Sequence, residues 1–314
     1  MTRIKKFVLT AVLLVVTGQS GPGGATSKTA FRDQYKLSVC MESDYDMNGL
    51  QDTVNYKVDK IMGTYIENAV SGVRNIINNR KKKGYIRAIQ TELPGAPHRG
   101  EQTYHCLYGQ YTQFNRALAE NNEPTDIIPT VHNAHQSTSS FIQQMTKMYN
   151  DPEYSGAIRR GHLYTTRSEY NRALNGYVKS KTPKNFNGNV DSLHAVYKEK
   201  FDKDNFCAAS LNPGSIIIVD GGHAVMYLGQ GKIKNNQFVC DTNGPAIVCA
   251  YNVEHPAIEL SSWRTNHASA FDMEKIVENR VKAEMLAKQR VKREEMAQRY
   301  ALAGCGNQYN LRQR

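Results

Sequence analysis

An α+β fold, with helices ahead of and behind an antiparallel sheet, is the class that this sequence predicts, and three observations predict it. Between Asp52 and Asn79, Val54, Val58, Ile61, Met62, Tyr65, Ile66, Ala69, Val73, Ile76 and Ile77 recur at three and four residues. That spacing builds one apolar face on a helix. From Pro213 onward the texture changes to short β-branched runs separated by Gly and Asn, which reads as a meander of strands. Residues 270–303 are again helical, but charged, with Glu-to-Lys pairs four apart such as Glu278 with Lys282 and Glu284 with Lys288. The apolar stripe of that last helix is thin, so it packs on one edge or projects.

The ends of the first helix carry their own signals. Arg80-Lys81-Lys82-Lys83 followed by Gly84 suits a helix C-terminus, where cations face the negative end of the dipole and Gly releases the chain. A second helical stretch runs from about Tyr104 to Ala119, with Leu107, Tyr108, Tyr111, Phe114 and Leu118 as its apolar positions. A third helix is expected at Ser137–Tyr149, inside a polar, Asn-rich region from Glu120 to Phe206. In the meander, Ser215–Val219 is a buried strand and Asp220-Gly221-Gly222 a turn. His223–Leu228 is the second strand, Gly229–Asn236 its connection, Gln237–Thr242 the third strand and Ile247–Tyr251 a fourth.

Composition narrows the function. The chain has 314 residues, 40% of them apolar, and a formal charge of +11, enough apolar material for a core and too much for a disordered chain. Arg3, Lys5 and Lys6 precede an apolar run from Phe7 to Val16. Ten such residues span only about 15 Å as a helix, half the hydrocarbon thickness of a bilayer. The segment reads as a secretory signal peptide cleaved after Gly18, leaving an exported chain, secreted or periplasmic, with no transmembrane segment and a formal charge of +8. A basic exported protein is drawn to anionic envelope polymers. No nucleic-acid motif accompanies the charge, and the run at Arg80–Lys83 is a solvated helix end.

One Cys opens a helix and one His opens a strand. A thiol at a helix N-terminus lies at the positive end of the macrodipole, which favours the thiolate, and Cys106 has that position. An imidazole held on a strand can take its proton, and His223 follows Gly221-Gly222, where backbone can approach closely. A third group must orient the imidazole. Asp241 and Asn243, two apart on the expected third strand, would share one face.

These residues resemble a family. Asn212-Pro213-Gly214-Ser215-Ile216-Ile217-Ile218-Val219 followed by Gly222-His223-Ala224-Val225-Met226-Tyr227-Leu228-Gly229 is similar to the His motif of the CHAP amidases and NlpC-type cell-wall peptidases, members of the papain-like group. Ser215 stands where the family usually has Asp. Cys106-Leu107-Tyr108 resembles its Cys motif, and Asp241-Thr242-Asn243 its acid-x-Asn on the following strand. The stretch between Cys106 and His223 is longer than is usual for the family, so an insertion at about 120–206 is required.

The resemblance implies a papain-like core, a nucleophile helix packed on an antiparallel sheet, with an added N-terminal helix and a long C-terminal helix. The expected organisation is a signal peptide at 1–18, a flexible leader at 19–35 and an N-terminal helical region at 36–90. A catalytic domain at 91–260 and a charged helix at 266–303 follow. The implied activity is a cysteine peptidase or amidase with no cofactor. Cys106 attacks an amide carbonyl, His223 carries the proton and Asp241 or Asn243 fixes the ring. The oxyanion sits on the N–H of Cys106 with Gln102 or Tyr104. The implied substrate is peptide in peptidoglycan. Two rival readings are a transglutaminase-like acyltransferase and a catalytically inactive secreted adaptor.

Other features are weaker. Asp44, Asp46, Asn48, Gly49 and Asp52 have the spacing of the front of a calcium loop, but Asn55 replaces the bidentate Glu. An Asp-rich turn capping the helix is the plainer account. His132 and His135 are three apart with no third ligand in view. The 18 Tyr residues are compatible with a sugar-binding surface without locating one. Cys240 and Cys249 flank Asn243-Gly244-Pro245 as possible cross-strand neighbours.

Overall fold

The computed structural model describes residues 49–93, 105–128, 138–149, 156–219, 222–251 and 255–302. It is α+β, with helices packed around a mixed sheet of eight strands in the order β2-β1-β8-β3-β4-β6-β7, β5 pairing with β4 off this path. The strands are β1 (Ile158–Tyr164), β2 (Asn205–Cys207), β3 (Ile216–Val219), β4 (His223–Lys234), β5 (Gln237–Cys240), β6 (Ala246–Cys249), β7 (Ile258–Glu259) and β8 (Ala268–Phe271). All pairings are antiparallel except β1 with β2. The sheet is therefore not the purely antiparallel one expected.

Helix α1 (Gly49–Lys83) buries the face that its periodicity outlines: Val54, Val58, Ile61, Met62, Tyr65, Ile66, Ala69, Val73 and Ile76 are all inside, with Ile77 partly buried. Burying each large member of that stripe contributes about 1.5–3 kcal/mol relative to exposure. A short α2 (Tyr85–Glu92), unsignalled in the sequence, follows Gly84, whose φ of 78° makes the break. Then come α3 (His105–Glu120) and α4 (Thr138–Tyr149). These helices and the start of α7 (Met273–Leu302) cover one face of the sheet, meeting Ile216, Ile218, Ala224, Met226, Ile247 and Phe271. The opposite face, with Ile217, Val219, Val225, Tyr227 and Val248, is closed by Phe206, Leu211, Leu260 and Trp263.

The region expected as an insertion is partly built into the sheet, because β1 lies between β2 and β8. The remainder is a helix pair. α5 (Arg167–Lys181) starts at Thr166, whose hydroxyl accepts from the Glu169 N–H while the Glu169 carboxylate accepts from the Thr166 N–H. This reciprocal capping box satisfies two of the helix's orphan donors. α6 (Val190–Phe201) starts at Asn189, which accepts from the N–H groups of Asp191 and Ser192. Between them lies a small aromatic core of Tyr164, Tyr170, Tyr177, Tyr197 and Phe201. Part of the tyrosine excess is thus packing.

α7 does both things that its thin stripe allows. Met273, Ile276, Val277 and Val281 are buried, while Leu286 and Val291 are exposed. In its first turn Glu274 is pressed against the core near Asp272, Asp59 and Glu278. Burial, then those three carboxylates, raise its pKa to about 7. Above the ordinary carboxyl value near 4.5 the unfolded chain gives up this proton and the folded chain keeps it. Stability contributed by Glu274 is therefore full below about pH 4.5 and lost as pH rises through about 7. Glu274→Gln is expected to leave the melting temperature at pH 4 unchanged and to raise stability at pH 8 by up to about 3 kcal/mol, at 1.36 kcal/mol per pKa unit. Thermal melts across that range check it, and equal slopes for both proteins would refute the burial of a proton here.

Several expected features fall elsewhere. The signal segment, the leader and His132 with His135 lie outside the described residues. So do Asp44, Asp46 and Asn48, whereas Gly49 and Asp52 belong to the first turns of α1. Of the stretch with calcium-loop spacing only Gly49 to Asn55 is described, and it is helical. Among the described residues no group of three or more His, Cys, Asp or Glu could hold a metal, and no helix is long and apolar enough to cross a membrane.

Candidate functional site

The start of β4 gathers the site. β3 turns back at Val219, which pairs with His223, and the Gly222 N–H donates to the Val219 carbonyl at 3.0 Å. Gly222 has φ 146°, and a Cβ there would lie 2.7 Å from Thr138 Oγ1, the first residue of α4. Only glycine lets the N-terminus of α4 come this close.

Cys106 is the second residue of α3, fully buried, and its Sγ accepts from the Ala224 N–H at 3.3 Å. The sulfur therefore sits at the strand one residue beyond His223, with the N-terminal ends of α3 and α4 both at that end of β4. The start of α3 and a strand N–H at one sulfur form a setting that stabilises negative charge. The N–H groups of Ala224, Leu107 and Cys106 all pull the thiol toward ionisation. Burial works against them and is the larger effect, so the pKa of Cys106 is raised above the ordinary thiol value. Burial thus favours the neutral thiol in the resting structure.

His223 is half-buried, and by strand alternation it shares the face of Val225 and Tyr227. Its ring lies against Trp263, centroids 5.2 Å apart and planes tilted 34°. Trp263 follows a 3-10 turn at Leu260–Ser262. As the chain's single Trp it was open to notice, but no spacing in the sequence ties residue 263 to residue 223.

Asp241 and Asn243 are not brought to this site. β4 does not end at Leu228 but runs to Lys234, because the hairpin turn falls at Asn235-Asn236, both with positive φ (51° and 59°). Such paired left-handed residues form the tight turn that matches strand twist. β5 consequently pairs with the far end of β4, Gly231 opposite Cys240. The Asp241 N–H donates to the Gln230 carbonyl, seven residues along β4 from His223, on the order of 20 Å away at about 3.3 Å per residue. Asp241 also leaves the strand. Its carboxylate accepts from the Asn243 N–H at 3.2 Å and lies 3.5 Å from Lys232 Nζ, closing a surface turn. Beside the first half of β4 lie β3, paired from His223 to Met226, and on the other side β6, paired only from Met226 with Cys249 onward. Gln102 and Tyr104 lie outside the described residues.

Ser215, which stands where the resemblance expects Asp, is buried and donates to the Asn212 carbonyl at 2.6 Å. Its task is the turn into β3. Cys240 and Cys249 are not partners: Cys240 is disulfide-bonded, whereas Cys249 is a buried thiol with a pKa pushed up to about 12 by burial. Register explains the difference, since β5 and β6 lie against different stretches of β4.

The buried thiol sets an expected labelling pattern. Iodoacetamide should modify Cys106 slowly, with a rate that climbs above the ordinary thiol pKa of about 8.5. Peptide mapping after timed labelling checks this, and rapid modification at pH 6 would show a thiolate already formed.

No protein-family model, curated protein or solved structure matches this chain.

Proposed function

We propose that the chain is an exported papain-like cysteine hydrolase of the CHAP or NlpC kind, acting on amide bonds of peptidoglycan peptide. The observation that carries this reading is the 3.3 Å contact between Cys106 Sγ and the N–H of Ala224, the residue after His223. A helix-borne thiol and a strand-borne imidazole from positions distant in sequence come to the same strand end, the thiol on the face of Ala224 and the imidazole on the face of Val225.

This mechanism requires the His223 ring to leave Trp263 and turn to the face of Ala224, where it takes the Cys106 proton as Sγ attacks the amide carbonyl carbon. The tetrahedral oxyanion is met by backbone N–H groups at the start of α3. His223 returns the proton to the leaving amine, and water then attacks the thioester with the same imidazole as base. In the resting structure Trp263 holds the imidazole on the face away from the sulfur, and Asp241 and Asn243 are too far along β4 to orient it. The excess of positive charge supports attraction to an anionic envelope polymer, and the disulfide at Cys240 supports an oxidising, extracytoplasmic setting.

One observation favours a second reading. Cys106 is completely buried and its thiol is raised, as suits an inactive adaptor that keeps the fold without the chemistry. The displacement of Asp241 removes the expected third residue from the hydrolase and from the transglutaminase-like reading alike. The deciding experiment incubates the mature protein with purified peptidoglycan and follows new amino groups. Release by the wild type and none by Cys106→Ala supports the hydrolase. No release by either supports the adaptor, and uptake of an added primary amine supports acyl transfer.

A further inference from the structure

We propose that the cleft between β1 and the α5–α6 pair is a binding site for a small multivalent anion, separate from the Cys106 region. The cavity has a volume of about 520 Å³, within the range of small-molecule sites. It opens along β1, whose pairing with β2 starts only at His162, so Gly156 to Arg160 line the cleft on the side left open by β2, while Ile158 to Arg160 pair with β8 on the other.

Four cations converge on it from separate elements: Arg159 on β1, Arg167 at the start of α5, Lys198 on α6 and Lys203 just after α6. Asp202 is the one carboxylate in the lining, and it is taken by Lys198 and the Tyr170 hydroxyl. Among the described residues Arg159, Arg167 and Lys203 make no ion pair, which leaves the cleft with unneutralised positive charge. Arg160 also borders the cleft, but its guanidinium turns to Thr146 and the Ile142 carbonyl of α4. Arg159 is held in place: its Nη1 donates to Ser210 Oγ at 2.8 Å, and Ser210 donates in turn to the Cys207 carbonyl at 2.7 Å. A guanidinium positioned this way still offers N–H donors on its other edge.

Like charges collected in a concave, partly apolar cleft repel one another, and the field they focus is relieved best by a ligand that meets several at once. Guanidinium groups grip phosphoryl and carboxylate oxygens alike in bidentate fashion, so the shared chemistry is two or more anionic groups on one small molecule. β1 is separated from β4 by β8 and β3, three strand spacings or about 14 Å. Occupancy of the cleft is therefore independent of the thiol.

The test is calorimetric titration of the whole purified protein with pyrophosphate and, separately, with citrate, at fixed ionic strength. At least one is expected to bind saturably at one per chain. Binding should weaken at least tenfold in Arg167→Ser/Lys203→Ser and again in Arg159→Gln/Ser210→Ala, two pairs from different walls, so that a folding failure in one leaves the other. Cys106→Ala should bind as the wild type does. Pyrophosphate alone would mark a phosphoryl ligand, and citrate alone or both a site that accepts carboxylates. No saturable heat with either anion, or wild-type affinity in whichever pair folds, would overturn the proposal.

Discussion

Cys106→Ala is expected to lower the turnover of peptidoglycan peptide by about a thousandfold or more, as loss of a nucleophile does, and His223→Ala by a similar factor. Neither should cost much stability. Ala at residue 106 removes one sulfur from a buried site, about 1 kcal/mol, and His223 is half-buried at a strand end. The same assay separates the site from its first description. Asp241→Ala, on the order of 20 Å along the sheet, should change turnover less than twofold. Trp263→Ala should leave the nucleophile intact yet shift the pH profile, because it alters the setting of the imidazole. Equal damage from Asp241→Ala would mean that the far end of β4 serves the reaction, and unchanged turnover in Cys106→Ala would end the hydrolase reading.

The second large effect is expected at Gly109, in the middle of α3. A Cβ there would meet the Tyr251 ring at 2.7–2.8 Å, and that ring is only 1% exposed, with no route out. Gly109→Ala ought to stabilise a helix by about 0.5–1 kcal/mol through propensity. Here the overlap wins, and a net loss of about 2 kcal/mol is expected, or a melting temperature lower by about 4–8 °C for a chain of this size. Because α3 carries Cys106 one turn earlier, the shift should also weaken the contact between Sγ and Ala224 and reduce turnover. A stabilised Gly109→Ala would show that α3 is not keyed to Tyr251. The paired variant Gly109→Ala/Tyr251→Leu should recover part of the loss if the overlap is its cause.

The buried networks near α3 explain why the helix is held so closely. Tyr65 donates to Gln110 Oε1 at 3.1 Å, and Gln110 donates to the Cys249 carbonyl at 3.3 Å, joining α1, α3 and β6 through one amide. A side chain that bridges three elements in the core leaves little slack for sliding.

What the sequence by itself determined is local. The three- and four-residue spacing from Val54 to Ile77 commits α1 to one buried face, the β-branched run at Ile216–Val219 makes a strand, and Gly222 before His223 allows the close approach that Thr138 fills. Cys106 near a helix start and His223 at a strand start were legible for the same reason: each is a property of a few neighbouring residues. Partnership across the sheet was not. Whether Asp241 stands beside His223 depends on where the β4 hairpin turns, and Asn235-Asn236 place that turn so that β5 meets the wrong end of β4 for the expected triad. β1, which lies between β2 and β8, came from a stretch that read as insertion, because Arg159, Arg160 and His162 break the apolar alternation by which a strand is recognised. The charge of the Cys106 thiol was likewise a tertiary decision. The helix end and three backbone N–H groups favour the thiolate, but burial outweighs them, and burial is settled only when α3 packs on the sheet.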